Sequence, residues 1–142
     1  MFEHIHDSEN WKSLRTNVGT AEHIPFAVLE LMSKDKNVVE NAYWKIDNYA
    51  VLQGELSESA KYLPKYLEEV LVKSKFKEIT LELLFQIGSG FSLNKNLESE
   101  CYNGVILALQ NAKSHSSILG SVWENTIKSH LTDLIELRNQ NT

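Results

Sequence analysis

Apolar residues along this chain recur at helical spacing, and strand-like alternation is nearly absent. The pattern predicts seven helices. The first spans about Ser8 to Asn17 and stops near Gly19. The second runs from Ala21 to Met32, with Thr20 as its N-cap. Its apolar face is Ile24, Ala27, Val28 and Leu31, and Pro25 falls in or near the first turn, where a missing N–H costs least. Asp35 caps the third helix, Lys36 to about Leu52, whose face is Val39, Ala42, Ile46 and Ala50. Gln53-Gly54 stops it. Ser57 or Ser59 caps the fourth, which carries Leu63, Leu67, Val70 and Leu71 and reaches about Lys73. The fifth presents Phe76, Ile79, Leu83 and Ile87 and breaks at Gly88-Ser89-Gly90. Ser92, Asn94 and Asn96 make Phe91 to Leu97 the best loop. The sixth covers about Glu98 to Lys113, and a turn over Ser114 to Ser117 leads into the seventh, to about Arg138. The last helix has a longer stripe, Ile118, Val122, Ile127, Leu131, Leu134 and Ile135, suited to closing the end of a stack.

Two of these helices open alike. Pro64 follows Pro25 by 39 residues (64 − 25), and an alanine, Ala21 or Ala60, stands four residues before each proline. A period near forty with helical spacing is what stacked helix pairs produce. A further step of 39 reaches Asn103, where the apolar pattern persists without a proline. Terminal repeats diverge because they cap the core rather than continue it.

The length, 142 residues, suits a single domain over residues 1–142 with its own core, and no linker divides it. No apolar stretch approaches the roughly 20 residues that cross a bilayer, and the opening residues are polar and acidic, so neither a membrane segment nor a signal peptide is expected. Cys101 is the sole cysteine and has no internal disulfide partner; a cytoplasmic location follows as the simplest expectation. The net charge of −5 is uneven. Residues 1–71 hold twelve acidic and seven basic side chains, whereas residues 72–142 hold seven of each. An acidic half argues against nucleic acid, whose phosphates need Lys and Arg, and suits a basic protein partner. It also serves solubility alone.

Few residues suggest chemistry. His4 and His6 lie two apart, while His23, His115 and His130 are scattered, and none forms an H-E-x-x-H pattern, so no metal site is expected. Cys101 reads as a packed apolar residue. Gly88-Ser89-Gly90 lacks the spacing and the Lys-Ser/Thr of a phosphate loop and reads as a helix end. Glu68 and Glu69 are adjacent on a helix and point different ways. Nothing here specifies an active site or a cofactor, and no enzymatic activity is expected.

The third predicted helix is more informative. Glu40, Tyr43, Trp44 and Asp47 follow i, i+3, i+4, i+7 and share one side. The core stripe does not need both Tyr43 and Trp44, although either ring also suits packing under a neighbouring helix. Exposed aromatics among carboxylates form an interface anchor that engages Arg or Lys. Gln53, Glu55 and Glu58 stand beyond the same helix, and Glu82 and Gln86 fall at i, i+4 on the polar side of the fifth. The predicted partner-binding set is therefore Glu40, Tyr43, Trp44, Asp47, Gln53, Glu55, Glu58, Glu82 and Gln86, carried by equivalent helices lining one surface.

Three segments together carry a family likeness. They are Trp11 to Leu14, then Gly19-Thr20-Ala21 with Ile24-Pro25, then Leu29 to Asp35; Ala42, Gln53-Gly54 and Leu63-Pro64 extend the series. The sequence resembles small bacterial HEAT-repeat proteins, some of which are immunity proteins for secreted or contact-delivered toxins. The likeness covers residues 11–87. It implies an all-α, HEAT-like solenoid of antiparallel helix pairs that binds a cognate toxin and covers its active site. The expected function is toxin neutralisation, with a basic toxin domain such as a nuclease as partner. A general protein-binding scaffold is the alternative. A HEAT-like DNA-repair enzyme would need a basic groove, which this acidic chain does not suggest.

Overall fold

The computed structural model describes residue 5 and residues 9–16, 18–115 and 119–140. The fold is mostly helical, with six α-helices among the described residues. Their order is β1 (Arg15–Thr16), β2 (Gly19–Thr20), α1 (Ile24–Glu30), α2 (Lys36–Ala50), β3 (Val51–Leu52), β4 (Glu55–Leu56), a 3₁₀ turn (Glu58–Tyr62), α3 (Pro64–Lys73), α4 (Lys77–Ser89), α5 (Lys95–Lys113) and α6 (Ser121–Gln140).

Local chemistry sets the helix starts. The Asp35 carboxylate accepts from the Asn37 N–H at 2.9 Å, as expected of an N-cap, and Asn94 caps α5 through the N–H groups of Asn96 and Leu97. The two prolines open equivalent helices. In each, the residue before proline donates its N–H to the alanine three positions back, Ile24 to Ala21 at 3.0 Å and Leu63 to Ala60 at 3.2 Å. Ala21, Ala60, Ile24 and Leu63 are all fully buried, so the repeated motif fixes where each helix enters the core.

A two-residue hairpin precedes each of these openings. β1 pairs with β2, and β3 with β4, both antiparallel. The predicted first helix is therefore absent from the described part of its span: residues 9–16 form turns and β1. Gln53-Gly54 does not simply end a helix. Gln53 (φ 53°) and Gly54 (φ 85°) both occupy the left-handed region, the geometry of a tight two-residue hairpin turn. The predicted fourth helix is split: residues 58–62 form a 3₁₀ turn, and α3 begins at Pro64. Thr20 lies in β2, and His23 takes the cap position of a shorter α1. Helix α5 starts at Lys95, which shortens the predicted loop and leaves Asn103 inside the helix. Gly88 and Ser89 still belong to α4. Part of the turn predicted over Ser114 to Ser117 lies outside the described residues, as does Ile118.

The helices pack in succession. α1 lies on α2, α3 on α4 and α5 on α6; α2 packs on α4, α4 on α6, and α3 on α5. Short connections, such as residues 74–76 between α3 and α4, turn the chain back after each first helix. The ends of α2 and α4 are tied together: Phe91, just past α4, donates to the Gly54 carbonyl and accepts from the Leu56 N–H, both at 2.8 Å. Both C-terminal ends thus meet one hairpin, and α2 and α4 run side by side in the same direction. Gly90 permits this join, since a Cβ there would stand 2.6 Å from Leu56. The interior holds Ile46, Leu67, Leu71, Leu83, Leu84, Ile87 and Leu109, all essentially inaccessible. Each contributes about 1.5–3 kcal/mol by burial. Ile127, Leu131 and Leu134 of α6 close the core as predicted, but Val122 and Ile135 face solvent because α6 packs on one side only.

Candidate functional site

The parallel pairing of α2 and α4 brings together residues nearly forty positions apart. Glu40, Tyr43 and Trp44 from α2 and Glu78, Ile79 and Glu82 from α4 line an open hollow of about 450 Å³. Four of the nine predicted residues, Glu40, Tyr43, Trp44 and Glu82, thus share one depression. The helical period explains it: the inner faces of both helices are occupied by Val39, Ala42, Ile46, Leu83 and Ile87, which turns this row outward.

The two aromatic rings act as a unit. They meet edge to face, centroids 5.0 Å apart and planes at 90°. Tyr43 leans on the core, which holds its ring, and Trp44 stands on it with 55% of its surface exposed. Trp44 is therefore not packed under a neighbouring helix. An indole held against a second ring presents a large amphipathic face of the kind enriched at interfaces.

The electrostatics of the hollow are one-sided. Burial, with smaller contributions from Asp47 and Glu82, pushes the Tyr43 hydroxyl well above the usual tyrosine range. Burial, and then the Glu82 charge, raises the Asp47 carboxyl above its ordinary value. Asp47 Oδ1 is buried with no hydrogen-bond partner. Gln86 donates to Glu82 at 2.9 Å, extending the polar row along α4. Asp47 and Gln86 do not line the hollow; they neighbour Glu82, which does. Gln53, Glu55 and Glu58 lie instead on the β3–β4 hairpin and the 3₁₀ turn beyond the C-terminal ends of the helices, and do not line it.

Glu78 and Ile79 were missed by sequence reasoning. Glu78 stands at i−4 from Glu82, so the row Glu78, Glu82, Gln86 was the available signal. Ile79 was assigned to the core stripe and is only half-buried.

The remaining candidates are buried or held by local hydrogen-bond partners. Cys101 is fully buried in α5, and burial pushes its thiol up to about 12. His23 donates to the Lys45 carbonyl at 2.9 Å and His130 to the Thr126 carbonyl at 3.0 Å. His4 and His6 lie outside the described residues. Glu68 accepts from Asn111 and Glu69 from Lys73, on separate partners. Among the described residues, no three His, Cys, Asp or Glu side chains converge as a metal site requires, and no helix is long and apolar enough to cross a membrane.

No family profile, curated protein or solved structure matches this chain.

Proposed function

We propose that this protein binds another protein through the α2–α4 surface, and that the partner is a toxin which it neutralises by covering a basic active-site cleft. The observation that carries the reading is the hollow itself: an exposed Trp44 propped on Tyr43 and rimmed by Glu40, Glu78 and Glu82. Aromatic anchors of this kind supply interface affinity, and surrounding carboxylates supply attraction and selectivity for Lys and Arg. The toxin identity of the partner rests on the resemblance to HEAT-repeat immunity proteins. The architecture belongs to the same reading. Two successive units of hairpin, proline-opened helix and second helix, packed in chain order, support a HEAT-like solenoid with α5 and α6 as its terminal pair.

The test is co-expression with the product of the adjacent gene, scored by cell survival and co-purification. The expected result is rescue from killing together with a stable complex, lost in the W44A variant. A harmless neighbour that does not bind removes the toxin reading. A harmless neighbour that binds through Trp44 makes the protein a general scaffold instead.

A further inference from the structure

The surface formed by α2, α4 and α6 has a second hollow. It lies between α4 and α6, measures about 270 Å³, and is lined by Phe85, Asp133, Glu136, Leu137 and Gln140. Its floor is apolar, with Phe85 held edge to face against His130 at 5.8 Å. Its rim carries two exposed carboxylates. The hollow thus repeats the chemistry of the first, an aromatic floor with an acidic rim, one helix further along.

Neither hollow is lined by a lysine or arginine. Depressions elsewhere on the described molecule differ. The one between α3 and α5 is bordered by Lys61 and Lys65, and the one beside α1 by Lys12. Of these four depressions, the two on α4 are the ones without a basic lining residue. Their shared wall is α4. Glu82 borders the first and Phe85 the second, and residues at i, i+3 on a helix lie about 5–6 Å apart at Cβ. The hollows are offset along α4 as well as across it: Glu78 to Glu82 border the first, whereas Phe85 meets His130 and Gly88 approaches Leu134 beside the second. An axial step of roughly 10 Å, at about 1.5 Å per residue, therefore adds to an interhelical spacing of roughly 8–10 Å. Side chains four or five residues apart on an extended segment span that combined distance, at about 3.3–3.6 Å per residue.

We propose that a single extended, arginine-bearing segment of a protein partner crosses α4, seating one guanidinium over Trp44 between Glu40, Glu78 and Glu82 and a second beside Phe85 between Asp133 and Glu136. This rests on the reading that the α2–α4 surface binds protein, and extends it to α6. Arginine fits better than lysine. Its planar group stacks on an aromatic face while its fork of donors reaches carboxylates at the rim.

The experiment is an NMR titration of the ¹⁵N-labelled protein at about 0.15 M salt. The probe is a capped Gly-Arg-Gly-Gly-Gly-Arg-Gly peptide, with the corresponding single-arginine and two-lysine peptides as comparisons. The expected result is joint movement of the Trp44 indole N–H and of the Phe85 and Leu137 amides, at least about threefold tighter for the two-arginine peptide than for the others, because the second contact becomes intramolecular. W44A should abolish the response on α2 and weaken that on α6. The double variant D133N/E136Q should do the reverse, and both are exposed substitutions whose folding is checked by circular dichroism. Movement at Trp44 without Phe85 or Leu137 overturns the crossing of α4 and leaves the α2–α4 reading standing. No movement at either hollow overturns both. Equal binding of the lysine peptide overturns the arginine preference.

Discussion

Asp47 holds a carboxylate where the protein does little to support it. One oxygen is buried without a hydrogen-bond donor, and Glu82 adds repulsion across the α2–α4 junction. A raised folded pKa means that the protonated form is favoured by the fold. The contribution is fully present below the ordinary value of 3.8 and is lost as pH rises through the raised folded value, so the ionised group opposes folding at neutral pH. D47N should therefore raise stability at pH 7, by about 0.5 kcal/mol because solvent screens a half-exposed group, and flatten the stability profile in the mildly acidic range. Chemical denaturation at pH 7 and pH 5 checks this. Under the proposed function, the same variant should weaken the complex, because a partner cation beside Asp47 would stabilise its charge. A substitution that stabilises the fold yet costs binding separates a functional carboxylate from a structural one. Loss of stability at pH 7 would show instead that Asp47 supports the fold.

Among the elements, the β3–β4 hairpin joins the C-terminal ends of α2 and α4 and carries a mismatch. Gln53 sits at φ 53° in a two-residue turn whose preferred sequence is Asn-Gly. Gly54 already supplies the second position. Q53N should stabilise the protein by about 0.5–1 kcal/mol, because asparagine tolerates the left-handed conformation better than glutamine. Thermal unfolding reads this as an upward shift in Tm; an unchanged or lower Tm would mean that the side chain of Gln53 contributes more than its backbone costs. The hairpins also mark where the sequence was silent. Helices α2 and α6 were legible because fifteen or more residues of periodic pattern, or a cap such as Asp35, announce them, and α4 was legible from the stripe Ile79, Leu83 and Ile87. Strands of two residues show no alternation, so Arg15–Thr16 was read into a helix and Gln53-Gly54 as a helix stop. The repeated proline was legible for a physical reason: it marks where a buried Ala-to-Ile/Leu turn feeds a helix. In the site, the row on α2 was legible from one helix alone. The contribution of Ile79, and the whole hollow against α6, depended on which helices become neighbours.

Taken as a whole, the molecule is graded around one helix. α4 packs on α2, α3, α5 and α6, whereas α1 makes its main helix contact with α2, and α6 makes its main contacts with α4 and α5. In the solenoid proposed above, stability would be approximately a sum over neighbouring interfaces, and elements with fewer neighbours open more cheaply than the centre. α6 has only Ile127, Leu131 and Leu134 fully turned inward over its twenty residues, and it leaves Val122, Ile135 and Leu137 in solvent. Native-state hydrogen exchange should therefore be slowest in α4. Amides of α6 beyond Leu134, and those of α1, should exchange at least about tenfold faster, a difference of about 1.4 kcal/mol in opening free energy. Uniform exchange across all six helices would instead mean that the domain opens as one cooperative unit. The gradient bears on binding because the α2–α4 hollow is built on the protected centre, whereas the α4–α6 hollow has one wall on the end helix. A partner that spans both should slow exchange more in α6 than in α4, since only α6 has low-energy openings left to suppress.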